Sequence, residues 1–171
     1  MHRFEFAPDL ETGNEDIDSQ HQTLFAMVNE ILYSSELERS PTQFKRAVSF
    51  LFSYLEYHFA SEELAILEHS YTSRHFHTAF HDHVRREATT IADELEHGTA
   101  HAKTRSRIFF LFEDWVMYHV HNADRQLAEY IREVTPDGQT PRLPGLLSGK
   151  KRAVRAPSFD DEARLFHAAR A

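Results

Sequence analysis

Seven side chains able to hold a metal recur in this chain at helical spacing: His21, His58, Glu62, His77, His81, His119 and Asp124. His58 and Glu62 lie four residues apart, as do His77 and His81, so each pair shares a helix face with Cβ atoms roughly 6 Å apart. His119 and Asp124 lie five apart, a spacing that a locally widened helical turn would meet. The chain has no cysteine. Nitrogen and oxygen donors without thiolate suit iron, zinc, copper or manganese.

The donor count carries the argument further. If both carboxylates bridge two metals, together with a solvent hydroxide, each metal has three oxygens. Five imidazoles must then divide three and two. One metal is six-coordinate and closed, and the other keeps an open position. An open position beside a second redox metal suits reversible two-electron binding of O₂. Such a pocket has to be apolar to exclude water and protons. Leu24, Phe59 and Trp115 lie within one turn of the metal-binding positions and are the expected walls.

Four helices are needed to bring these residues together. The first is expected from about Asp18 to Leu37, with Ile17, His21, Leu24, Val28 and Ile31 on its inner stripe. The second opens with Ser40 as N-cap and Pro41 at the first helical position. It turns Phe44, Val48, Leu51, Leu55, His58, Glu62 and Ala65 inward. The third runs from near Ser73 to Gly98, with His77, His81, Val84, Ala88, Ile91 and Leu95 inward. The fourth is expected from about Thr104 to Val134, with Ile108, Phe112, Trp115, His119, Leu127 and Ile131 inward. Steps of three and four mark one buried face per helix, and short connections favour antiparallel neighbours. The expected fold is all-α: an up-down-up-down antiparallel four-helix bundle with a C-terminal extension. Buried polar groups cost about 1–3 kcal/mol each when unpaired. A shared metal pair would compensate all seven at once.

The bulk properties fit. A chain of 171 residues with 41% hydrophobic content is enough for one domain with a core. No apolar run is long enough to span a membrane, and the charged start MHRFEFAPDLE does not read as a secretory signal. The absence of cysteine fits a reducing cytoplasm. A net charge of -8 disfavours nucleic acid as a partner. Charge divides unevenly, since residues 135–171 hold seven basic and four acidic side chains, against 12 and 23 in residues 1–134. The stretch TPDGQTPRLPGLLSGKK is rich in proline and glycine. A bundle domain over 1–134 and a basic tail over 135–171 are expected. Ser158 could cap a short helix in that tail, which could serve a redox or signalling protein.

Single histidines on apolar stripes are usually hydrogen-bonded core residues, but five on four stripes with two acids are not. His75, His83 and His121 point away from the stripes and read as surface residues. Glu63 sits about 100° around the helix from Glu62 and reads as solvated. His77, the His81-Asp82 pair and Asp124 also resemble a metal phosphohydrolase site superficially, but that leaves His21 and His119 without purpose. Ferritin-like sites use more carboxylates and Glu-x-x-His pairs, which these stripes lack.

The segments IDSQHQTLF, YHFASEE, HTAFH and WVMYHVHNAD, in that order, resemble the hemerythrins, in particular bacterial single-domain members. The resemblance spans roughly residues 4–134. It implies two non-heme irons with a bridging oxo or hydroxo group, and O₂ binding rather than enzymatic turnover. It further implies that His77, His81 and His119 hold the closed iron. His21 and His58 would hold the O₂-accepting iron, and Glu62 and Asp124 would bridge the two. Phe4 and Phe6 stand where the family often has tryptophan. Ile66 replaces a frequent methionine, and Tyr71-Thr72 replaces a frequent Tyr-Pro.

Overall fold

The computed structural model describes residues 2–137 and 139–143, and among these the protein is all-helical. The proposed tail helix around Ser158 lies outside the described residues. A short 3-10 turn, Pro8–Leu10, precedes α1 (Glu15–Tyr33), α2 (Ser35–Arg39), α3 (Pro41–Glu68) and α4 (Arg74–Glu96). A last continuous helix follows. It comprises α5 (His101–Leu111), a π-turn (Phe112–Val116), α6 (Met117–His119), a second π-turn (Val120–Asp124) and α7 (Arg125–Val134). No described helix is long and apolar enough to cross a membrane.

The helix ends follow from local chemistry. Asn14 caps α1, its side-chain oxygen accepting from the backbone N–H of Asp16 (3.1 Å) and Ile17 (3.3 Å). Glu15, Asp16 and Asp18 add negative charge to that positive helix end. These groups start the helix three residues before the expected Asp18. It also stops earlier than expected, because Ser34 turns extended and its hydroxyl caps α2 instead. The carbonyls freed at this break are met from across the bundle. Arg105 donates to Ile31 O at 2.8 Å and to Ser34 O at 3.3 Å. Ser40 caps α3 ahead of Pro41, as the sequence indicates.

α3 and α4 end in the same way. At Gly98 (φ +89°), the Gly98 and Thr99 N–H groups donate to Leu95 O and Glu94 O. This pattern closes a helix through one left-handed residue. At the end of α3, Ser70 holds that place with φ +54°, and Ser70 and Tyr71 donate to Leu67 O and Ile66 O. The turn seats Tyr71 on Ile66 and delivers the chain into α4, which carries His77.

α1 packs on α3 and α5, α3 on α4, and α4 on α5, a closed ring of contacts. The core falls into two clusters. The larger contains Leu24, Leu55, Phe59, Val84, Phe112, Val116 and Val120, and the N-terminal arm closes onto it through Phe4. The smaller contains Ile17, Ala65, Ile66, Tyr71, Leu127, Ala128 and Ile131. On α1, α3 and the last helix the metal-competent residues fall between members of these two clusters, and on α4 they fall between Tyr71, just before the helix, and Val84. They form a polar layer between two apolar ones.

Chain beyond α7 returns to the start of α1. Leu143 is buried in the smaller cluster, and its N–H donates to Asp16 at 2.9 Å. Arg142 pairs with Glu15 (2.8 Å) and Asp16 (2.9 Å).

Candidate metal centre

The layer between the two clusters is built from the seven residues named from the sequence, all of them buried. α1 supplies His21, α3 His58 and Glu62, and α4 His77 and His81. His119 closes α6, and Asp124 ends the second π-turn. In an α-helix, residues five apart diverge around the axis. A turn with i→i+5 bonding brings both onto one side, which reconciles the His119–Asp124 spacing with a shared site.

The donor atoms fall into two overlapping groups. Glu62, His77, His81, His119 and Asp124 form one, and His21, His58, Glu62 and Asp124 form the other. The two oxygens of Asp124 divide between them. Oδ1 lies 2.8 Å from His119 Nε2 and 3.6 Å from His77 Nε2. Oδ2 lies 3.1 Å from His21 Nε2 and 4.0 Å from His58 Nε2. Glu62 Oε2 lies 3.2 Å from both His77 and His81 Nε2 and 3.6 Å from His58 Nε2. The Nε2 atoms of His81 and His119 face each other at 3.0 Å.

Some of these contacts are hydrogen bonds, as between His77 and Glu62 and between His81 and His119, but not all donor atoms are satisfied in this way. His21 Nε2, Glu62 Oε1 and both oxygens of Asp124 lack a partner in hydrogen-bond geometry despite their short separations. Each such buried atom costs about 1–3 kcal/mol if left so. Donors that aim at the space between them, and not at one another, fit cations placed there.

Two imidazoles are held from behind. His58 Nδ1–H donates to Gln20 Oε1 at 2.9 Å, and the Ser61 hydroxyl donates to the same oxygen at 3.1 Å. His81 Nδ1–H donates to Glu63 Oε1 at 2.9 Å. Glu63 is itself held by Arg85 (2.7 Å), which also pairs with Glu56. A proton fixed on Nδ1 leaves Nε2 as the atom that can bind a metal. Glu63 is therefore not simply solvated, as its position beside Glu62 suggested. The rotation that removes it from the bundle interior points it at His81 on α4. Gln20, Ser61 and Arg85 were not identified from the sequence either. Gln20 and Ser61 adjoin His21 and Glu62 in sequence, and Arg85 lies one turn after His81.

Burial and charge tune the layer. Burial lowers the His58 pKa to about 4, so its ring is neutral. Burial also works against a charged His81. Hydrogen bonds to Glu62 and Glu63 outweigh it and raise its pKa to about 9. Burial and the Asp124 charge push Glu62 upward, but His58, charged in the acid range where Glu62 titrates, and bonds to His77 and His81 hold it below the usual carboxylate range. Asp124 is likewise held low against burial by His119 and His21. Glu63 falls to about 2, its partial burial outweighed by His81 and Arg85.

The three expected pocket residues separate. Leu24 is buried in the larger cluster beside the layer. Phe59 is buried and stacks on the His81 ring, centroids 4.0 Å apart at 16°. Trp115 does not line the interior. It is 42% exposed and packs on His83, centroids 3.9 Å apart. The first π-turn is the cause. Its extra residue shifts the phase of the last helix, so Val116 and not Trp115 follows Phe112 into the core. His83, expected as a surface residue, is half-covered by that indole. A ring the sequence did not single out, Phe80, lies flat on His119, centroids 4.2 Å apart at 15°. Phe6 of the N-terminal arm approaches His21, centroids 6.1 Å apart.

The family model described as hemerythrin HHE cation binding domain matches residues 12–131, a span containing all seven residues. A bacteriohemerythrin from Methylococcus capsulatus is 26% identical over 108 residues, covering 63% of this chain and 80% of that protein. No solved structure matches the chain.

Proposed function

The chain belongs to the hemerythrin family, and on that premise we propose that it holds two iron ions and binds O₂ reversibly at one of them. The observation that carries this reading is the overlap of the two donor groups: Glu62 and Asp124 belong to both, while three histidines face one position and two face the other. That asymmetry supports one filled and one open coordination sphere. When bound, the iron pair supplies the two reducing equivalents that O₂ takes up and returns.

The chain's own residues do the rest. Glu62 and Asp124 would hold both irons, with His77, His81 and His119 holding the closed one and His21 and His58 the open one. Gln20 and Glu63 orient His58 and His81. Leu24 and Phe59 keep water, and with it protons, from the layer. The ring of helix contacts supports the up-down-up-down bundle. A binding protein of the cytoplasm, not an enzyme, is the role we assign, in O₂ storage, delivery or sensing. Sensing has one observation in its favour. Leu143 sits with Ile17 and Ala65, about one turn from His21 and Glu62, which links the chain beyond α7 to the layer.

Anaerobic loading with ferrous iron tests the reading. Elemental analysis should give two irons per chain. Air should generate a visible absorption band that deoxygenation removes. A single metal per chain, or zinc that iron cannot displace, would overturn it.

A further inference from the structure

Among the lines of aromatic rings that leave the layer, which include His77–Tyr71–Tyr130, one runs through α4 to an exposed indole. Phe80 of α4 lies flat on His119, 4.2 Å between centroids. Trp115 packs on Phe80 at 5.7 Å and on His83 at 3.9 Å, and is 42% exposed. Each ring touches the next, and the first touches an imidazole of the three-histidine group. Phe59 also stacks on a histidine of the layer, His81, but it is buried and contacts no exposed ring among the described residues.

We propose that Trp115 and Phe80 are the entry route by which single electrons reach the metal pair from a donor at the surface. The inference rests on the iron reading above. A reversible O₂ carrier whose irons become trivalent stops binding until it is reduced. Each of two donor encounters then supplies one electron. The donor is oxidised by one electron each time, and each iron passes from the trivalent to the divalent state. Electron tunnelling falls steeply with the gap to be crossed, so rings in contact carry electrons that the surrounding aliphatic core would not. The indole, the most easily oxidised ring of the line, is the one that meets solvent. The donor class is a one-electron reductant too large to enter the apolar layer, such as a reduced flavin or a flavoprotein.

The test compares the parent with Trp115→Leu, Phe80→Leu and a control, Phe110→Leu, which removes an exposed ring that contacts Phe109 and not the line. Photoreduced flavin mononucleotide is mixed with air-oxidised, iron-loaded protein, and the loss of ferric absorption is timed. Trp115→Leu and Phe80→Leu should slow several-fold at full iron content, and the control should match the parent. A second readout needs no donor. Trp115 is the sole tryptophan, so its emission comes from the exposed end of the line, and the part of its quenching that depends on Phe80 reports on the route. Ferric loading should shorten that lifetime relative to zinc loading. Phe80→Leu should reduce the shortening while leaving the lifetime of the metal-free protein unchanged. Two irons bound with parent rates in both variants, and a parent lifetime in Phe80→Leu, would overturn the route alone. A chain that binds no iron would overturn the route together with the reading beneath it.

Discussion

Glu63 Oε1 lies 2.9 Å from His81 Nδ1, so adjacent carboxylates on α3 reach two different places. Glu62 enters the metal layer, and Glu63 crosses to the back of a histidine on α4. Partners of this kind fix the tautomer and raise the basicity of a metal-binding imidazole. Glu63→Gln keeps the size and removes the charge. Metal affinity should fall about 10–100-fold, read by competition with a chelator. Unchanged affinity would show that Glu63 serves only the Arg85 pair.

The raised pKa of His81 predicts a pH dependence. Below about 9 the metal-free ring carries a proton that a metal must displace. Zinc, as a redox-silent probe, should therefore bind more tightly as pH rises from 7 to 9. The gain from this proton is about tenfold per pH unit and levels off above the pKa. His58, already neutral above about 4, adds nothing in that window. An affinity flat between pH 7 and 9 would contradict a protonated His81.

Ser70 closes α3 with φ +54°, a conformation that costs a non-glycine residue roughly 1–2 kcal/mol. Gly98 ends α4 through the same bonds without that cost. Ser70→Gly should raise unfolding free energy by about 1 kcal/mol, measured by urea denaturation, with metal content unchanged.

The return of the chain to α1 predicts an effect of truncation. A chain ending at Val134 keeps all seven metal-binding residues and should still load metal. It loses the buried Leu143 and the Arg142 ion pairs, and should be less stable by roughly 1.5–3 kcal/mol. Loss of metal on cutting at Val134 would show that the returning segment seals the layer.

Leu24→Ser leaves every donor in place and adds a hydroxyl beside the proposed O₂ position. It should admit water, favour protonation and departure of reduced oxygen, and hasten decay of the air-generated band. A variant with two irons and parent decay would remove Leu24 from the pocket.

The seven residues that cluster in the buried layer were legible because their signal is local. Two of the three within-helix pairs repeat at i,i+4, and a histidine or acid on an apolar stripe needs compensation wherever the helix packs. The Ser40 and Gly98 boundaries were legible for the same reason, since a cap is a contact between near neighbours. The returning residues 141–143 gave no such signal, because Leu143 finds its place only against Ile17 and Ile131.

Trp115 shows where local reading failed. Stripes drawn at the α-helical period assume an unbroken phase, and the π-turn at Phe112–Val116 resets it. Phe80 and Glu63 are cases of a different kind. Each faces away from its own helix's metal-binding stripe yet meets a metal-binding histidine on a neighbouring element. Spacing along one helix thus determined which residues could share a metal. Which oxygen of Asp124 faces which histidines, and which residues stand behind those histidines, was decided by the register between helices. Register is set by the summed packing of two apolar clusters on either side of the layer, and no single stretch of sequence contains it.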